Sequence, residues 1–131
     1  MIALDTNVLV RFLVEDDEAQ STQAAALIQR AVDADEHLFV SEIVICETVW
    51  VLGRAYKFTR REIAEILADL LRARHLEFGQ ADRLWKAYRA FGNGRGDFAD
   101  YLIREEARGM GCKTVATFDR ALLSESDFDE P

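Results

Sequence analysis

With 131 residues, half of them hydrophobic, the chain can bury one core without help from disulfides or a structural metal, so a single domain over residues 1–131 is expected. A formal net charge of −8 excludes a broad basic face for gripping nucleic acid, because sequence-independent affinity comes from Lys and Arg neutralising phosphates. No apolar run approaches the roughly 18 residues needed to cross a bilayer, and Met1 leads straight into Ile2-Ala3-Leu4-Asp5 without a basic leader, which predicts a cytoplasmic protein with no membrane attachment.

In chain order, residues 1 to 5 carry a short strand signal, and apolar spacing near 3.6 predicts helices over 6–14 and about 17–33. His37-Leu38-Phe39-Val40 is the next strand. Ser41 can cap a helix through Ile43, Val44, Cys46, Glu47, Trp50 and Val51 that ends between Gly53 and Lys57. Thr59-Arg60-Arg61-Glu62 has the form of a capping box and opens a helix through Ile63, Ile66, Leu67, Leu70 and Leu71. Residues 75–78 form a third strand, 80–91 an amphipathic helix, and 92–96 a glycine-rich loop. A helix from about Asp97 to Arg108 stops at Gly109, with Gly111 just beyond. Residues 113–117 make a fourth strand, and Arg120-Ala121-Leu122-Leu123 a short last helix. Strands alternating with helices imply a short, mostly parallel sheet with helices on its faces, about seven in all. The acidic segment 124–131 predicts at most a vestigial final strand. Cys46 and Cys112 lack metal-ligand spacing and read as two buried free thiols.

Four acids stand beside these elements: Asp5 and Asp119 at strand ends, Glu47 and Asp100 in helices. In parallel α/β sheets ligands bind beyond the carboxyl ends of strands, so acids at two such ends can share a crevice. Each has a structural alternative. Asp5 or Thr6 can cap the first helix, and Asp119 the last. Glu47 sits in an otherwise apolar segment, where an unpaired carboxylate costs several kcal/mol, so a metal, solvent or an ion pair with Arg54 must compensate it. Asp97 and Asp100 share a helix start; Asp97 fits the cap, and Asp100, among Phe98, Leu102 and Ile103, has less structural reason to be there.

Met1-Ile2-Ala3-Leu4-Asp5-Thr6-Asn7, Ser41-Glu42-Ile43-Val44-Ile45-Cys46-Glu47, Asp97-Phe98-Ala99-Asp100-Tyr101-Leu102-Ile103 and Thr114-Val115-Ala116-Thr117-Phe118-Asp119 resemble, in order and separation, the four motifs of PIN-domain proteins, and among them the VapC toxins of toxin–antitoxin systems. The resemblance runs from residue 1 to about 123. It implies a three-layer α/β/α fold with four to five strands, and a Mg²⁺- or Mn²⁺-dependent endoribonuclease toxin whose metal ligands are Asp5, Glu47, Asp100 and Asp119. Asp97 is implied as a supporting acid, and Thr6, Asn7 and Thr117 as polar residues lining the site. A homodimer and an antitoxin of the VapB type are also implied, assembling as a heterotetramer or larger. Glu42 competes with Glu47, which the motif favours for its place about six residues after the serine.

Four close carboxylates repel by about 4 kcal/mol per pair at an effective dielectric near 20, so such a site demands protons or a hard cation. Phosphate contacts must then come from local arginines, and Arg11, Arg54, Arg95 and Arg120 each lie within a turn or two of a motif. His37 and His75 are expected at the rim. Trp50, Tyr56, Phe58 and Ile63 are candidates to line a groove for an antitoxin helix. Two rivals remain. One is a PIN-like module that binds RNA or antitoxin with little catalysis; the other is a phosphohydrolase of the haloacid-dehalogenase kind, which needs an acid where Asn7 stands.

Overall fold

The computed structural model describes residues 1–131 and falls into two compact units, Met1–Gly79 and Gln80–Pro131. In the first, β1 (Ile2–Ala3), β2 (Leu38–Phe39) and β3 (Leu76–Glu77) form a parallel sheet in the order β1-β2-β3, with Ile2 opposite Leu38 and Leu38 opposite Leu76. Two helices fill each crossover: α1 (Thr6–Val14) and α2 (Glu18–Asp33), then α3 (Glu42–Arg54) and α4 (Arg60–Arg72). Leu4, Leu9, Leu38, Val40, Ile45, Leu52 and Leu67 are almost wholly buried. Ile63 joins this core rather than lining an exposed groove.

The helix starts follow from local chemistry. Asp17 accepts the Gln20 N–H at 3.0 Å, and the Ser41 hydroxyl oxygen accepts the Val44 N–H at 3.2 Å. Thr59 and Glu62 close their capping box in both directions, at 3.1 and 2.9 Å.

The second unit holds α5 (Ala81–Asn93), α6 (Phe98–Gly109), β4 (Val115–Ala116) and β5 (Phe128–Asp129). Helices α5 and α6 pack together, with Phe91 edge-on to Phe98 at 6.1 Å. A Schellman motif ends α6: Gly111, at φ +85°, donates its N–H to Arg108 O, and Cys112 donates to Ala107 O. Strands β4 and β5 pair in parallel, Val115 opposite Phe128.

Three expectations change. The chain has six helices, because Arg120–Leu123 forms turns. There the Asp119 side chain takes the Ala121 N–H, and Leu122 and Leu123 bond three residues back rather than four. The five strands divide into sheets of three and two. The acidic segment forms only the two-residue β5, the vestigial strand that its sequence allowed, and α6 supplies the positive charge that the segment itself lacks. Arg108 pairs with Asp127 at 2.7 Å, and Arg104 donates to Ser126 O at 3.2 Å and lies over the Phe128 ring. Both cysteines are free, but Cys112 is exposed and Cys46 only half-buried.

Candidate active site

In the first unit, the β1 end and the α1 start bring three polar residues together. Asp5 caps α1 through Oδ1, which accepts the Thr6 N–H at 2.8 Å. Thr6 is buried, and its hydroxyl crosses to α3 to donate to Glu47 Oε1 at 3.3 Å. Of the alternatives open to Glu47, the structure shows an exposed side chain that solvent reaches. Val44, Ile45, Thr48, Val49 and Leu52 face inward, whereas Ile43, Glu47, Trp50 and Arg54 form an exposed stripe. Arg54 lies over the Trp50 ring at 5.4 Å instead of pairing with Glu47.

In the second unit, Asp100 occupies the third position of α6, and its Oδ2 accepts the Asp97 N–H at 2.9 Å. It therefore has the capping duty that sequence spacing left to Asp97 alone. Asp100 is half-buried, and burial above all holds its proton affinity above the ordinary carboxylate value. The Asp97 N–H works against that, and the negative charges of Asp97, Asp119 and Glu125 add to it. Asp119, exposed beyond β4, accepts the Ala121 N–H through Oδ1 at 2.9 Å, while its own N–H donates to the Thr117 hydroxyl at 3.0 Å.

A common pattern emerges. Asp5, Glu47, Asp100 and Asp119 are each fixed through one oxygen by a backbone N–H or a hydroxyl, and none has an Arg or Lys partner. Elsewhere arginines pair with Asp16, Asp35, Glu65, Glu105 and Asp127. Oriented oxygen donors with uncompensated charge suit a hard divalent cation. Within neither unit do three or more His, Cys, Asp or Glu side chains form a metal-holding cluster.

The predicted arginines fare differently. Arg11 is held by Asp16 at 2.7 Å, Gln20 at 2.7 Å and the Tyr56 hydroxyl at 3.1 Å. Arg95 and Arg120 are exposed. An open groove of about 400 Å³ along α1 and α2 is lined by Asn7, Val8, Arg11, Ala24 and Arg30. Arg30 escaped sequence reasoning because it lies far from every motif. Glu125 did so too, lying in a segment without motif or helical period. His37 pairs with Glu77, and His75 with Asp35.

The apolar groove lies elsewhere than expected. It measures about 290 Å³ and is lined by Phe12, Leu13, Ile28, Val32, Ile66 and Leu70. Tyr56 instead bonds Asp16 at 2.5 Å and stands edge-on to Phe58.

The profile of the family described as PIN domain matches residues 2–127. The VapC ribonuclease of Aquifex aeolicus (strain VF5) is 32% identical over 120 residues, which span 92% of this chain and 88% of that protein.

Proposed function

The chain belongs to the PIN-domain family, of the three-layer α/β/α class, and from that premise we propose that it is a metal-dependent endoribonuclease toxin held in check by an antitoxin. One observation carries the reading: the four motif acids are each anchored through one oxygen and lack the basic partners that other acids of the chain have found. Asp5, Glu47, Asp100 and Asp119 would hold Mg²⁺ or Mn²⁺, with Asp97 in support. Such an ion, when bound, would supply a water of lowered pKa and charge stabilisation at the phosphate.

The chain's own residues prepare that chemistry. Asp5 spends Oδ1 on the Thr6 N–H and presents its other oxygen, and the buried Thr6 hydroxyl orients Glu47 in the same way. The Asp97 N–H fixes Asp100, and the turn after β4 fixes Asp119. Donors held in advance lose little freedom when a cation or phosphate arrives. Asn7 and Thr117 would line the site, and Arg11, Arg54, Arg95 and Arg120, joined by Arg30, would meet the RNA backbone.

Supporting an antitoxin of the VapB type is the apolar groove of about 290 Å³ along α1, α2 and α4, whose lining suits the apolar face of an amphipathic helix. A homodimer, and a heterotetramer or larger assembly with antitoxin, would cover exposed Ile43 and Trp50. The site of action would be the cytoplasm.

The test uses the purified parent and Asp5→Asn, both free of antitoxin, incubated with structured RNA and either Mg²⁺ or EDTA. Cleavage by the parent in Mg²⁺ alone is expected. Equal cleavage by both proteins would refute the metal-nuclease reading, and no cleavage by the parent would favour a binding module.

A further inference from the structure

The segment 124–131 carries none of the four motifs, yet it is tied to α6, the helix that Asp97 caps. Glu125 accepts the Tyr101 hydroxyl with both carboxylate oxygens, at 2.7 and 2.9 Å. The same hydroxyl oxygen accepts the buried Gly96 N–H at 2.8 Å, and the Arg95 N–H reaches Glu125 at 3.4 Å. Tyr101 is fully buried and stands edge-on to Phe128. The turn lies so close that a Cβ on Gly94 would sit 1.9 Å from the Tyr101 hydroxyl oxygen, and one on Gly96 would sit 2.5 Å from Leu122. These glycines serve close approach rather than loop freedom.

We infer that Glu125 is a positioning residue for the Asp97–Asp100 pair, acting through the Tyr101 hydroxyl and the Gly96 N–H. The route is short and continuous. Glu125 orients the hydroxyl, the hydroxyl holds Gly96, and Gly96 precedes Asp97, whose N–H holds the Asp100 carboxylate. Rotation of this turn would swing the Asp97 N–H away and release Asp100 into other rotamers. Small misplacements of reacting groups cost far more in rate than in stability. Neighbouring contacts keep the segment docked without Glu125: the Arg108–Asp127 pair, the Arg104 bond to Ser126 O and buried Phe128. Losing the Glu125 bond should therefore loosen the turn and leave the fold intact. The inference rests on the ribonuclease reading for its catalytic consequence, but not for its structural one.

The test compares the parent with Glu125→Gln, Glu125→Ala, Tyr101→Phe and the Ala/Phe double variant. Amide exchange at Gly96 is read by NMR in metal-free protein, and RNA cleavage in Mn²⁺. Glu125→Ala and Tyr101→Phe should each speed Gly96 exchange about ten-fold and lower kcat about ten-fold with KM within about two-fold. The double variant should be no worse than Tyr101→Phe, since both changes cut one chain of bonds. Glu125→Gln keeps an acceptor for the hydroxyl and should stay within about two-fold of the parent. Parental exchange and kcat in Glu125→Ala would overturn the inference, as would a Glu125→Gln as impaired as Glu125→Ala. A parent that cleaves no RNA would sink the ribonuclease reading alone, because Gly96 exchange would still decide the positioning role.

Discussion

Phe128→Ala probes whether the acidic segment is built into the fold. The ring is 3% exposed, stands edge-on to Tyr101 at 6.5 Å and lies beneath the Arg104 guanidinium at 5.4 Å. Truncating a buried Phe removes its transfer free energy and leaves a cavity, which together cost about 3–5 kcal/mol. The total stability of a domain is only about 5–15 kcal/mol, so the loss is a large share of it. At roughly 4 °C per kcal/mol for a chain of this size, Tm should fall by about 12–20 °C. Urea unfolding followed by far-UV circular dichroism gives the free energy directly, and the midpoint should drop with an unchanged slope. A loss under about 1 kcal/mol would mean instead that Phe128 fills no packed site and that β5 adds nothing to the second unit.

Two other perturbations separate structural acids from functional ones. The Tyr56 hydroxyl, and then Arg11, hold the Asp16 carboxyl below its ordinary value of 3.8. A depressed carboxylate stabilises the fold above its unfolded pKa, and that contribution is lost as pH falls through the lower folded value. Acid titration of stability should therefore be shallower below pH ~4 in Asp16→Asn than in the parent, and identical slopes would contradict the pairing. Glu47→Gln should abolish RNA cleavage while moving stability by no more than about 0.5 kcal/mol, since the side chain is exposed and its one hydrogen bond can survive as an amide acceptor. A destabilisation of several kcal/mol in a urea melt would instead mark Glu47 as a structural residue.

How much was legible in the sequence depended on how far apart the cooperating residues lie. The start of α4 is written in four consecutive residues, Thr59 to Glu62, and the end of α6 in Gly109 to Cys112, so both could be read locally. The exposure of Glu47 could not, because the outward face of α3 carries Ile43 and Trp50, and apolar residues on both faces erase the helical period. The acidic segment left its strand undecided for another reason. Its Asp127 is met by Arg108 and its Ser126 carbonyl by Arg104, about twenty residues earlier, and nothing in either stretch announces the pairing. Among the site residues, the ordered motifs pointed to Asp5, Glu47, Asp100 and Asp119, but not to the single anchored oxygen that each one shows. The service of Asp100 to the α6 start and the reach of Glu125 into the glycine turn needed coordinates.

If acids distant in sequence serve one divalent cation, as proposed, Mn²⁺ binding read by isothermal titration depends on each of them. The parent, Asp5→Asn, Asp100→Asn and the double variant would be titrated without RNA. Ligand charge sets the affinity of such sites, so each single variant should lose about ten-fold or more. On the proposed ligand set the double variant should show a strong coupling, its loss differing from the sum of the single losses. Unchanged affinity in either single variant, or losses that simply add as they do for independent sites, would mean that Asp5 and Asp100 do not hold one ion.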